Sequence, residues 1–252
     1  MNTADNAPRR PSCLWLPIAG FTLALAAALA GLVAGPGTRW GWWDYRTGFA
    51  VLRFAAWGGV AAAAISLFAI VVGLLGRVRH SIVFGVFGFI FGALLFGVPW
   101  YLLNEGRNVP AIHDITTDTD DPPRFVAILP LRIDAPNTAE YGGPELARQQ
   151  KQGYPDIAPL LLDVPPAAAY ERALRAARAA GWDIVAAVPQ ENRIEATATT
   201  LMFGFKDDVV IRITATERGS RVDVRSVSRL GRSDLGANAR RIRDYLHRIS
   251  AG

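Results

Sequence analysis

Residues Phe54–Leu103 read FAAWGGVAAAAISLFAIVVGLLG, then RVRH at 77–80, then SIVFGVFGFIFGALLFGVPWYLL. Two charge-free apolar runs of 23 residues each thus flank a four-residue basic turn. At about 1.5 Å per residue, either run crosses a hydrocarbon core of roughly 30 Å as a helix. A third run of 21 residues, Leu14 to Ala34, precedes them. The expectation is a three-helix transmembrane anchor over 1–103, with helices near 14–34, 54–76 and 81–103, followed by a soluble part. None of the runs holds an Asp, Glu, Lys or Arg, which argues against an ion pathway.

The chain carries a net charge of +5, which usually signals attraction to nucleic acid or anionic lipid. Its distribution decides between them. Residues 1–103 hold seven arginines against Asp5 and Asp44, while residues 104–252 hold 20 basic and 20 acidic groups. A neutral soluble part has no basic face to release counterions from phosphates, so nucleic acid is excluded as a partner. Cys13 is the only cysteine, which rules out an intrachain disulfide and any cysteine-built metal site. Arginine outnumbers lysine 25 to 2, the bias of a GC-rich bacterial genome.

Arg9 and Arg10 before the first run, and Arg77, Arg79 and His80 in the tight turn, belong in the cytoplasm by the positive-inside rule. A first run cleaved as a secretory signal leaves the tail on the same outer side. Either way the expected location is a bacterial inner membrane, multi-pass, with a cytoplasmic N-terminus and a periplasmic C-terminal domain. The loop Gly35–Arg53 crowds Trp40, Trp42, Trp43, Tyr45 and Phe49 among arginines, as an aromatic belt at the headgroups or a ligand-stacking cage. Gly88 with Gly92, and Gly59 with Ala63, mark close helix packing, within one chain or in a homodimer.

Beyond the anchor, residues 104–159 are rich in Pro, Asp, Thr and Gly and read as an irregular arm. The arm has a strand candidate at Phe125–Leu131 and a short helix at Pro144–Gln152. Residues 160–252 are regular. Leu160–Val164 reads as a strand, and Pro165 and Pro166 open a helix with Tyr170, Leu174 and Ala177 on one face and a Glu171–Arg175 pair on another. Gly181 ends it. Alternation then predicts strands at Trp182–Val188, Arg193–Thr200, Asp208–Thr216 and Ser220–Ser228. A last helix over Asp234–Ile249 puts Leu235, Ile242, Leu246 and Ile249 on one stripe. The fold class is α+β, an antiparallel sheet of four to five strands with two helices on one face. The second face stays open for a ligand or the arm.

Three groups of residues carry chemistry. His113, Asp114, Thr117, Asp118, Asp120 and Asp121 bring hard oxygen ligands together, suiting Ca²⁺ or Mg²⁺, with His113 as a general base. A turn built on Asx and Thr hydrogen bonds uses the same letters. Ser228, Arg229, Arg232 and Ser233 can hold a phosphate or carboxylate, or cap the last helix. Phe203 and Phe205, in the apolar tip Leu201–Phe205, pack as core, cover a pocket or dip toward lipid. No GxSxG elbow, GxxxxGK[ST] loop or GxGxxG turn occurs, and His80, His113 and His247 are too scattered for a three-histidine zinc centre.

The stretches Pro110–Arg124 (PAIHDITTDTDDPPR), Tyr141–Leu160 (YGGPELARQQKQGYPDIAPL) and Arg221–Arg243 (RVDVRSVSRLGRSDLGANARRIR) resemble the domain of unknown function 1499 family. The anchor, with WWDYRTGFAVLR at 42–53, is similar to its membrane-attached bacterial members. The resemblance implies an envelope protein with no settled activity. The leading expectation is a non-catalytic binding or envelope-assembly module without a resident cofactor. Its partner would be the bilayer together with another envelope protein, a lipid or a small anion. The alternatives are a metal-assisted hydrolase using His113 and Asp114, and a lipid-binding module with a cavity beneath Tyr170, Trp182 and Ile242.

Overall fold

The structure, a computed structural model, describes residues 15–251. Arg9, Arg10, Cys13 and the start of the first run at Leu14 lie outside the described residues. The chain divides into two compact units between Leu102 and Leu103.

The first unit is built from α1 (Trp15–Arg39), α2 (Tyr45–Gly76) and most of α3 (Arg79–Arg107). All three are long and apolar enough to cross a membrane, which fits a membrane protein. Their packing is inverted relative to a water-soluble bundle: Leu29, Phe68, Leu75 and Phe91 point outward, while Ala27, Ala55, Ala62 and Ala69 are buried. Small residues let helix backbones approach where no hydrophobic effect joins them. A Cβ on Gly92 would stand 2.5 Å from the Gly59 carbonyl oxygen and 2.8 Å from the Ala63 nitrogen. The two small-residue motifs therefore meet each other within the chain.

The expected loop Gly35–Arg53 is mostly helical. α1 continues through Pro36 to Arg39, and α2 begins at Tyr45, nine residues before the predicted Phe54. Asp44 causes the early start: as N-cap it accepts the Thr47 N–H at 2.8 Å, satisfying a donor of the first turn. Only a tight turn remains between the helices. Trp40 and Trp42 are exposed there, whereas the Trp43 indole turns inward, donates to the Ala34 carbonyl at 3.1 Å and fills the space left by the absent side chain of Gly37.

In the second unit the strands are β1 (Asp114–Thr116), β2 (Leu160–Leu162), β3 (Asp183–Val188), β4 (Arg193–Thr199), β5 (Lys206–Thr216) and β6 (Gly219–Ser228). They form one antiparallel sheet, β1-β6-β5-β4-β3, with β2 also paired to β6 beside β1. Two strands therefore share one edge, and the sheet has six where four to five are predicted. The helices are α4 (Gly143–Gly153), α5 (Pro166–Ala179) and α6 (Ala237–Ala251). α5 and α6 cover one face, where Ile194, Val209, Ile211, Ile213, Val222 and Val224 meet Tyr170, Ala173, Ile242 and Tyr245. The Tyr245 phenol donates to the Ala173 carbonyl at 2.8 Å, tying the two helices together.

Four local expectations are corrected. Phe125–Leu131 is not a strand: it leads into a 3-10 turn at Leu129–Arg132, because its N–H groups are taken by a side chain rather than by a neighbouring strand. The residues read as an acidic turn begin with β1, whose three residues are too few for alternation to register. α6 starts at Ala237, since Leu235 and Gly236 hold φ angles of 52° and 78°, which interrupt a right-handed helix. Leu235 thereby leaves the predicted stripe. The Glu171–Arg175 pair does not form among the described residues.

Candidate functional site

The second face of the sheet is polar by alternation. Glu195 on β4, Asp208 and Arg212 on β5, and Asp223 and Arg225 on β6 all point away from α5 and α6. The arm, residues 117–141, lies over them. Unpaired charges here would be costly to bury, so each is matched.

Arg225 forks onto Asp114 with contacts of 2.9 and 2.8 Å, the two side chains being 2% and 5% exposed. Its guanidinium lies 5.4 Å from the ring centres of both Phe125 and Tyr141. Asp208, fully buried, receives Arg132 at 2.6 Å, Arg229 through two contacts of 2.8 Å and the Thr197 hydroxyl at 2.7 Å. Burial pushes the Asp208 carboxyl up, but Arg229, Thr197 and Arg132 together hold it below its ordinary value. Glu195, also fully buried, accepts the backbone N–H groups of Val126, Ala127 and Ile128 and pairs with Arg193. A carboxylate thus does for the arm what a paired strand would do.

The predicted acidic site falls into this lattice. Asp118 accepts the N–H groups of Asp120 and Asp121 in an Asx turn, at 3.1 and 2.9 Å, and binds Arg221 and Arg212 at 2.6 and 3.1 Å. Burial raises its carboxyl, and these partners more than reverse the effect. Asp121 joins Arg212 at 2.7 Å, and Asp120 meets Lys151 at 3.4 Å. Thr117 donates to Asp223 at 3.3 Å and accepts the Val224 N–H. The His113 imidazole has no hydrogen-bond partner among the described residues, and both oxygens of Asp114 are taken by Arg225. His113 and Asp114 therefore do not form an oriented acid–base pair. No group of three or more His, Cys, Asp or Glu placed to hold a metal occurs among the described residues.

The predicted anion site is likewise engaged. Arg229 is committed to Asp208 and to the Leu131 carbonyl. The Ser228 hydroxyl accepts from Asn238 at 3.0 Å, and Ser233 accepts the Leu235 N–H at 3.2 Å. The cap of α6 is Asp234, which takes the N–H groups of Gly236 and Asn238 at 2.8 and 2.7 Å. Its own carboxyl is raised, burial outweighing those two bonds. Only Arg232 of this group stays exposed and outside an ion pair among the described residues. At the hairpin tip Phe203 and Phe205 stack on each other, with ring centres 5.5 Å apart and a 13° tilt.

A cleft of about 510 Å³ opens beside the acidic turn, lined by Thr119, Asp120, Tyr141, Pro144, Arg148 and Lys151 among others. Burial pushes the Tyr141 phenol up to about 12, and its buried oxygen has no hydrogen-bond partner among the described residues. The residues that organise this region, Arg132, Glu195, Asp208, Arg212 and Arg225, are absent from the sequence-based site. Their signal was available: charges recur at every second position on β6, at Arg221, Asp223 and Arg225, and its arginines oppose an acidic arm.

No curated protein and no solved structure matches the chain. A family model described as protein of unknown function (DUF1499) matches residues 114–249, from the first residue of β1 to within two residues of the end of α6. That span holds the whole sheet, both helices over it and the arm with its ionic lattice, and covers more than half of the sequence. The chain belongs to the DUF1499 family of proteins of unknown function.

Proposed function

We propose that this protein is a membrane-anchored, non-catalytic binding or envelope-assembly module, with its C-terminal domain on the periplasmic side of a bacterial inner membrane. One observation carries the non-catalytic part: apart from His113, which no partner orients among the described residues, and Arg232, the charged residues whose types suggest chemistry are committed to one another. Asp114, Asp118, Asp208 and Arg229 use their polar atoms to fasten the arm to the sheet. A nucleophile or general base needs a polarised partner aimed at an open space. Here the partners are guanidinium groups, which hold the Asp118 and Asp208 carboxyls below their ordinary value, an arrangement suited to rigidity. The orientation is supported by Arg77 in the turn between α2 and α3 and by Arg79 and His80 at the start of α3, on the positive-inside rule.

Paired reporter fusions after Ala251, one active only outside the cytoplasm and one fluorescent only inside it, test the topology. Activity of the first alone is expected. Fluorescence of the second alone would overturn the periplasmic assignment. Crosslinking in intact cells, followed by identification of adducts lost when Tyr141 or Lys151 is substituted, tests binding at the cleft beside the acidic turn.

A further inference from the structure

Arginine use in the second unit is uneven. Nine arginines there sit in ion pairs: Arg148 pairs within α4, and each of the other eight binds a carboxylate of the sheet, of the arm or of Asp156. Arg172 and Arg175 on α5 and Arg248 on α6 have no carboxylate partner among the described residues. These three converge, with His247, on a cleft of about 390 Å³ between the two helices, floored by Ala176 and Ala179. Among the described residues, no acidic side chain lines it. A second cleft of about 300 Å³ shares Arg248 and continues past Trp182 and Arg240 toward the start of α6.

The local charge survives the obvious opposing term. The cleft lies along the C-terminal half of α5 and the last turn of α6, where helix dipoles contribute about −0.5 each. Three guanidinium charges against two such half-charges, and against Asp244 on the wall of the adjoining cleft, leave about +1. Part of the arginine content is therefore dipole complement, and the surplus is not. In a unit with equal numbers of acidic and basic groups, this surplus is a local feature. Guanidinium forks match phosphate oxygens, and alanine methyls give an apolar floor for a glycerol backbone.

We propose that this α5–α6 cleft binds the phosphodiester headgroup of an anionic phospholipid. The inference deepens the binding-module reading and rests on its membrane anchor. Tethering makes lipid headgroups the phosphate source at highest effective concentration, which favours them over a dilute soluble anion. The site is separate from the predicted anion residues 228–233, whose Arg229 is occupied by Asp208.

The full-length chain in a neutral maltoside detergent, offered equal phosphatidylglycerol and phosphatidylcholine of identical acyl chains, provides the test. The bound ratio is read by native mass spectrometry. Each arginine near an anionic lipid surface contributes about fivefold, so Arg172→Gln/Arg175→Gln/Arg248→Gln should lower the phosphatidylglycerol preference by more than about tenfold. The Lys triple variant, which keeps charge and loses the fork, should retain part of it. In the unmodified protein the preference should weaken as salt rises, independently of whether a variant folds. An unchanged ratio in the Gln variant, or a salt-insensitive one, overturns the site. So does displacement of phosphatidylglycerol by millimolar inorganic phosphate with no lipid preference, which would make it a soluble-anion cleft. The reporter fusions above fail or succeed separately from this ratio, so the two proposals are distinguishable.

Discussion

Asp208→Asn removes one negative charge from a position with no solvent exposure, and leaves Arg132 and Arg229 facing a neutral amide. The side chains of the two arginines are 3% and 17% exposed, so water restores little of what is lost. Breaking a buried pair from one side typically costs about 3–5 kcal/mol, mostly from the charge left uncompensated. Asn keeps the volume and can still accept from Thr197, so packing contributes little. For a unit of this size each kcal/mol corresponds to about 2–4 °C, giving an expected drop in Tm of roughly 6–20 °C. Thermal unfolding of the full-length chain in mild detergent measures it, with hydrogen exchange locating the loss to the β4–β5 amides and residues 125–132. A second substitution provides the internal check. Arg132→Met on the Asp208→Asn background removes one of the stranded charges, and should recover part of the loss. A single variant within about 0.5 kcal/mol of the parent, or a double variant worse than the sum of the singles, would refute the view that this lattice holds the arm.

Glu195→Gln leaves one acceptor oxygen for the N–H groups of Val126, Ala127 and Ile128, and hydrogen exchange at those amides should accelerate more than at β6. Asp208 and Asp118 both have carboxyls lowered from the ordinary 3.8, so their contribution is full above that pH and is lost as pH falls through their folded values. Acid unfolding followed by tryptophan fluorescence should therefore begin below about pH 3.8, and its onset should move up in Arg229→Gln. Asp234 has the opposite sign, its raised carboxyl being penalised as pH rises. Asp234→Asn should then be neutral or stabilising at pH 7, while Asp234→Ala loses the cap and costs about 1 kcal/mol by thermal unfolding. Gly92→Val forces a side chain against the Gly59 backbone, and should lower detergent-phase stability of the helix unit by about 1–3 kcal/mol.

Long periodic segments were legible because their period alone specifies them. The apolar runs, the alternation in Asp208–Thr216 and the Pro165-Pro166 helix start each repeat a signal over many residues. The arm was not legible for the converse reason. Its conformation is set by Glu195, Asp208 and Arg225, which lie 67 to 111 residues away from the arm atoms they hold. No local propensity encodes such a contact. The acidic residues at 114–121 were visible as chemistry, but their role depends on which arginines the sheet register sets opposite them. Asp44 shows the reverse case: a single capping side chain sets a helix start that the charge-free criterion had placed at Phe54, just after Arg53.

The edge of the sheet made by β1 and β2 has a temporal consequence. Both short strands are synthesised early, yet both pair only with β6, so Asp114 waits for Val227 and Leu160 for Val222. Such nonlocal closure makes for slow folding, because loop entropy must be lost before any reward arrives. The second unit cannot assemble vectorially as it emerges; the arm stays unanchored, and its buried ionic partners stay hydrated, until β6 has been made.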